Sequence, residues 1–202
     1  SKTADRSPYA NTLTENGTVV EAVASTSTEL LGYSDWSTSN YLERAYDADF
    51  QFGTGDFSCS LWFKSSGTGT VETLIHRGTT GDNYGFRLQC AVAGTIAFYN
   101  RSSSGVLVQS GEAIDDGEWH NVVGLRRSAV AYLYVDGVEV GSAASTVNMD
   151  SGSALLRIGL LNSGTLPATT STISLVRLSA TAPTATQVRQ MYDAEKGMFV
   201  AS

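Results

Sequence analysis

Asp115-Asp116-Gly117-Glu118-Trp119-His120-Asn121-Val122-Val123, followed by Leu133-Tyr134-Val135-Asp136-Gly137-Val138, is the stretch whose reading decides the fold. An acidic-Gly turn leads into an apolar run that opens on Trp119, a bulky anchor for an inner strand. Asp136-Gly137 stands between Tyr132, Tyr134 and Val135 on one side and Val138 and Val140 on the other. Gly supplies the positive φ that a two-residue hairpin requires. The stretch therefore predicts three strands, Trp119–Arg126, Val130–Val135 and Val138–Gly141, the last two joined by a tight hairpin.

Outward from there the same period-two pattern recurs. In Phe57–Lys64, Phe57, Cys59, Leu61 and Phe63 fall on one face and Ser58, Ser60, Trp62 and Lys64 on the other, as in a half-buried strand. Similar runs lie at Glu72–Arg77, Gly85–Cys90, Thr95–Asn100, Val106–Gln109, Ala154–Gly159 and Thr172–Ser179, separated by Gly, Ser, Thr and Asp. Strands so spaced, without intervening helices, predict an all-β fold of antiparallel sheets packed as a sandwich. One helix is predicted near Ala185–Lys196, with Thr184 as N-cap, Gln187 as its capping-box partner, and Gly197 placed to end it. Residues 1–32 are weakly patterned and read as an irregular first strand along a sheet edge, with Asn16-Gly17 as a turn.

Composition narrows the function. The chain has 202 residues, a length that sandwiches use for one domain, and residues 1–202 are read as one. A net charge of -7 offers no basic patch to gather phosphates, which disfavours nucleic acid as a partner. No apolar run is long enough to span a bilayer. The opening Ser1 reads as the start of a segment cut from a longer polypeptide. Cys59 and Cys90 each sit in an apolar alternation, where two reduced core thiols are favoured over a bridge that adjacent strands would allow. Asn16-Gly17-Thr18 and Asn100-Arg101-Ser102 fit the glycosylation pattern, as chance produces in a Ser/Thr-rich chain.

The opening stretch resembles the central signature of laminin-G-like, concanavalin-A-like jelly rolls. Further matches run in order: Phe52-Gly53-Thr54-Gly55-Asp56-Phe57 into Leu61-Trp62-Phe63, Leu156-Arg157-Ile158-Gly159, then Ile173-Ser174-Leu175-Val176-Arg177-Leu178, with Asp5-Arg6-Ser7 near the start. Within that family, Tyr33-Ser34-Asp35-Trp36-Ser37-Thr38-Ser39-Asn40-Tyr41-Leu42-Glu43 and Ala182-Pro183-Thr184-Ala185-Thr186-Gln187 are similar to bacteriophage tail and other virion proteins. The resemblance implies a jelly-roll β-sandwich with a short C-terminal helix. It also implies a non-catalytic binding or structural domain of a phage tail, facing a host-surface glycan or other virion proteins. The alternative is a carbohydrate-binding accessory module of a secreted bacterial enzyme or adhesin, and the location is virion or extracellular.

Candidate sites follow from chemistry. Glycoside hydrolases of this fold place Glu-x-Asp-x-(x)-Glu on one strand, a spacing absent here, and His76 and His120 fit no nucleophile triad. No catalytic residue is expected. Sugar binding needs an aromatic platform beside planar amide or carboxylate groups, and Asp82-Asn83-Tyr84, Tyr99-Asn100-Arg101 and Trp36 are the candidates. The resemblance implies a rim Ca²⁺ held by carboxylate and carbonyl oxygens. Asp5 matches its acidic N-terminal position, while Ser174 replaces an acidic residue usual near the last core strand.

Overall fold

The computed structural model describes residues 2–24, 30–67, 69–79, 84–101 and 105–199. Its strands are β1 (Thr14–Asn16), β2 (Val20–Val23), β3 (Leu31–Ser34), β4 (Tyr41–Arg44), β5 (Phe57–Ser65), β6 (Glu72–Gly78) and β7 (Gly85–Cys90). They continue as β8 (Thr95–Arg101), β9 (Gly105–Ala113), β10 (Trp119–Arg127), β11 (Val130–Val135), β12 (Val138–Ala144), β13 (Leu155–Ile158) and β14 (Ser171–Ser179). The helix α1 spans Ala185–Glu195. Two antiparallel sheets of seven strands result, in the orders β1-β4-β13-β6-β7-β8-β9 and β12-β11-β10-β5-β14-β3-β2. Neighbours far apart in sequence, such as β5 beside β14, give the jelly-roll crossovers. Among the described residues, no helix is long and apolar enough to cross a membrane.

Side chains that alternate inward from both sheets make the core. From β5 come Phe57, Cys59, Leu61 and Phe63, and from the facing sheet Ile75, Phe86, Leu88, Ile96 and Phe98, all buried in one cluster. Phe57 lies 5.3 Å from Phe86 and 6.1 Å from Phe98, ring centroid to centroid. Each fully buried Leu or Phe of this kind contributes about 1.5–3 kcal/mol. One end of the core is polar: Arg126 is fully buried, and its guanidinium donates to the carbonyls of Gly53, Gly55 and Val147. Those bonds satisfy loop carbonyls that would otherwise be stranded away from water.

The predicted hairpin is present. Asp136 and Gly137 both have positive φ, 50° and 76°, as a type I′ turn requires. A side chain at Gly137 would also press on α1, because its Cβ would lie 3.0 Å from that of Tyr192. The helix start is present too, with the Thr184 side chain accepting from the Gln187 N–H and the Gln187 side chain accepting from the Thr184 N–H. Its end differs from expectation: Gly197 is not a left-handed cap, and α1 instead tightens into a 3-10 turn over Lys196–Met198. β1 lies at an edge of the first sheet and β2 at an edge of the second, two short strands where the weakly patterned N-terminus predicts one.

One strand is misjudged by local periodicity. β5 is not half-buried: Ser58, Ser60 and Trp62, on its outer face, are buried as well. α1 and the residues after it cover that face. Trp62 stacks on Phe199 at 4.2 Å and on Tyr192 at 5.8 Å, and its Nε1 donates to Glu195 at 2.7 Å. Trp119 joins the same cluster. Beside it, Val123, Leu125 and Tyr134 pack under Val188 of α1. Cys59 and Cys90 are both buried and free, on strands of different sheets. Burial pushes both thiols up, that of Cys90 to about 12.

Candidate functional site

The outer face of the first sheet has the opposite chemistry. Strand register aligns a row across it, in which Glu43 of β4 faces Arg157 of β13, Arg157 faces His76 of β6, His76 faces Arg87 of β7, and Arg87 faces Tyr99 of β8. Arg101 lies two residues beyond Tyr99 on the same strand, hence on the same face. Neighbouring inward positions hold Phe86, Leu88 and Phe98, so the apolar alternation of β7 and β8 is what turns Arg87, Tyr99 and Arg101 outward.

Within this row the Arg87 guanidinium lies 4.2 Å from the Tyr99 ring centroid, and that of Arg101 lies 5.7 Å away. His76, Gly85, Phe86, Arg87, Tyr99 and Arg101 line a narrow crevice that exposes almost no polar surface. Arg157 is paired with Glu43 at 2.7 Å and lies over Tyr41. His76 is buried, and its Nδ1 accepts from the Asn162 N–H at 3.2 Å. Burial first, then the charges of Arg87, Arg157 and Arg101, depress its pKa to about 3. The imidazole is thus neutral at physiological pH, an acceptor beneath a cationic surface.

Tyr84 stands just before β7. It is 41% exposed, and its carbonyl accepts from buried Arg77 at 3.0 Å. The next residue, Gly85, is the register partner of Arg101. The structure therefore brings together two residues expected from sequence, Tyr99 and Arg101. It adds Arg87 and His76, which sequence reasoning passed over although both fall in the outward phase of their strands. Asp82 and Asn83 lie outside the described residues.

Two expectations fail. Trp36 is no surface platform but a core residue, 2% exposed, with its Nε1 donating to the Tyr33 carbonyl at 3.0 Å. Gly159 makes room for it, since a Cβ there would fall 2.1 Å from the indole. Asn100 is fully buried, accepting from Ser145 at 2.8 Å, so neither a sugar nor a glycosyl group reaches it.

Asp5, the expected Ca²⁺ ligand, has a carboxylate engaged by its own turn. Its carboxylate accepts from the Ser7 N–H and Oγ and from the Asn11 N–H, and these bonds, led by the Ser7 hydroxyl, hold its pKa below the usual range. Among the described residues no group of three or more His, Cys, Asp or Glu gathers to hold a metal ion. Ser174 is buried and donates to the Leu31 carbonyl at 2.7 Å. The Asp5 carboxylate closes a turn.

A second titratable cluster lies at an end of the other sheet. His120 Nδ1 is 2.7 Å from Asp136 and Nε2 is 3.1 Å from Asp116. Burial opposes its protonation, but the bonds to Asp136 and Asp116 and their charges outweigh it, and the pKa stands above its ordinary value. Both ring nitrogens are engaged, so this imidazole ties two turns together.

Comparison with known proteins was made against this geometry. The profile of a family described as the concanavalin A-like lectin/glucanases superfamily matches residues 16–189. No curated protein matches the sequence. Among solved structures, the binding domain of Paraclostridial Mosquitocidal Protein 1 is similar with a TM-score of 0.73 and 11% identity, over 95% of this chain and 49% of that one. The botulinum neurotoxin serotype G binding domain is similar with a TM-score of 0.74 and 14% identity, over 95% and 48%. A botulinum neurotoxin type C structure, described as depending on two ganglioside molecules for cell entry, gives 0.72 and 13%, over 95% and 48%. At such identities the likeness is one of fold, and this chain spans about half the length of each.

Proposed function

The chain belongs to the concanavalin A-like lectin/glucanases superfamily, and from that premise we propose that it is a non-catalytic domain that binds a cell-surface glycan through the outer face of its first sheet. The observation that carries this reading is the row of Arg87, Tyr99 and Arg101 along the outer face of the first sheet. Aromatic rings and fixed N–H donors are the groups that recognise saccharides. On the second sheet α1 and Phe199 cover Trp62, Trp119, Val123 and Leu125.

The use of its carboxylates supports a non-catalytic role. Glycosidic hydrolysis ordinarily takes two carboxyl groups roughly 5–10 Å apart across a groove, one of them kept protonated. Here Glu72 is buried and accepts from Thr169, Thr170 and Ser171, Glu43 pairs with Arg157, and Asp116 and Asp136 are bound to His120. Each is committed to holding a loop, a strand pair or a turn. The virion parent is supported by the stretches Tyr33–Glu43 and Ala182–Gln187, and the toxin binding domains of the same fold support a receptor-binding role in general.

A glycan array probed with the purified chain, with and without Ca²⁺, tests the reading. Saturable binding to one glycan class, abolished by Arg101→Gln with the fold intact, is the expected result. Release of reducing ends from envelope polysaccharide, or binding indifferent to every substitution on the first sheet, would overturn it.

A further inference from the structure

We infer that His120 is a proton-operated latch: its charged imidazole ties the turn before β10 to the hairpin turn at Asp136, and loss of the proton releases the Asp116 side while the Asp136 side stays bound. The latch belongs to the second sheet and does not depend on the glycan-binding reading. A count of hydrogens sets the constraint. A charged imidazole donates from both ring nitrogens, a neutral one donates from one and accepts at the other, and a carboxylate only accepts. Here Nδ1 lies 2.7 Å from Asp136 and Nε2 lies 3.1 Å from Asp116. Both contacts are hydrogen bonds only while the ring is charged. In the neutral ring one nitrogen turns a lone pair on a carboxylate oxygen, and that contact opens.

Which one opens follows from what holds each carboxylate. The second oxygen of Asp136 accepts from the Asn121 N–H at 2.8 Å, and its side chain is 29% exposed. The hairpin turn it stands in is packed under α1, where a Cβ on Gly137 would meet Tyr192 at 3.0 Å and Arg189 at 3.1 Å. Asp116 is 57% exposed, and the oxygen that faces His120 already accepts from the Glu118 N–H at 2.9 Å. Water replaces an imidazole at such an open oxygen with little loss. The neutral ring therefore keeps its proton on Nδ1, and the Asp116 carboxylate comes free. Release is local, because the Ile114 N–H donates to the Gly94 carbonyl at 2.9 Å and the Gly117 N–H to the Ser65 carbonyl at 2.8 Å, pinning the turn at both ends.

The surroundings leave the switching to this one ring. Strand β5 sets Phe63 opposite His120 and Lys64 opposite Trp119, Glu118 lies in the same turn, and α1 brings Tyr192 and Arg189 onto the hairpin. Of these side-chain types only imidazole ordinarily changes charge between about pH 5 and pH 8. Burial opposes the charged ring, but Asp136 and then Asp116 outweigh it, so the latch is closed in mild acid and opens as the pH rises past the ordinary histidine value of 6.5.

The experiment is a pH titration of the whole isotope-labelled chain, read at the imidazole nitrogens and the backbone amides between about pH 5 and pH 9. As the pH rises, Nε2 should lose its proton while Nδ1 keeps its own, and the amides of Asp116, Gly117 and Glu118 should shift with the same midpoint while those of Asp136 and α1 stay still. Asp116→Asn should lower the midpoint and Asp136→Asn should lower it further, with melting temperatures confirming that both variants fold. A ring that keeps its proton on Nε2, turn amides that stay silent through the titration, or a midpoint lowered more by Asp116→Asn than by Asp136→Asn would each overturn the latch.

Discussion

On the second sheet Trp62 is covered by Phe199 and Tyr192, whereas on the first sheet Tyr99 is covered by the guanidinium of Arg87. Both rings stand on the outer faces of interior strands. The first is sealed by the chain's own C-terminal helix and becomes part of a second apolar layer. The second is flanked by charge and reaches solvent at its rim. A sandwich has two outer faces to dispose of, and this one spends its helix on the apolar face.

The contrast can be broken first by truncation. Trp62→Ala should cost about 3–5 kcal/mol, the range for emptying a large buried aromatic site. Tyr99→Ala, at a half-buried position, should cost roughly 1 kcal/mol. Paired urea titrations read both values. Comparable losses would mean that the first face is as much a structural layer as the second.

The two histidines sharpen it next. His76 has a folded pKa of about 3, well below the ordinary 6.5. Its contribution is complete above pH 6.5 and is lost as the pH falls, because the unfolded chain then binds the proton that the folded one refuses. Between pH 6.5 and 5, above the carboxylate range, this amounts to about 2 kcal/mol. His120, with its pKa raised, behaves oppositely: its contribution is present below 6.5 and lost as the pH rises through the folded value. Stability measured by urea titration across pH 5–8 should show both limbs. His76→Gln should flatten the acid limb and His120→Gln the alkaline one, and a limb unmoved by its substitution would refute the assignment.

Smallest is the cap of the covering helix. Thr184→Ala removes the acceptor for the Gln187 N–H and should cost about 1 kcal/mol. If α1 holds the second face closed, thermal melts should record that loss together with greater quenching of Trp62 and Trp119 fluorescence. A drop in stability without added quenching would separate the cap from the cover.

Much of this was legible in the residues. Period-two alternation located the interior strands, Asp136-Gly137 the hairpin, and Thr184 with Gln187 the helix start, because each is a local preference that packing did not overrule. The cover over β5 was not legible, since Trp62 meets Phe199 and Glu195 from the far end of the chain. Trp36 misled for a similar reason: a polar setting in sequence, Asp35-Trp36-Ser37, looks exposed until Gly159 is brought beneath the ring. At the candidate site the chemistry of Tyr99 and Arg101 was readable. Their convergence with Arg87 and His76 depends on register across β6, β7 and β8, which local patterns do not specify.

The claim that binding belongs to the first sheet's outer face is tested most directly by amide chemical-shift mapping, with a glycan that binds on the array titrated into the isotope-labelled chain. The account predicts the largest perturbations at Gly85, Arg87, Tyr99 and Arg101, with the amides of α1 and β10 unmoved. Perturbations centred on Trp62, Trp119 and α1, with β7 and β8 silent, would contradict it.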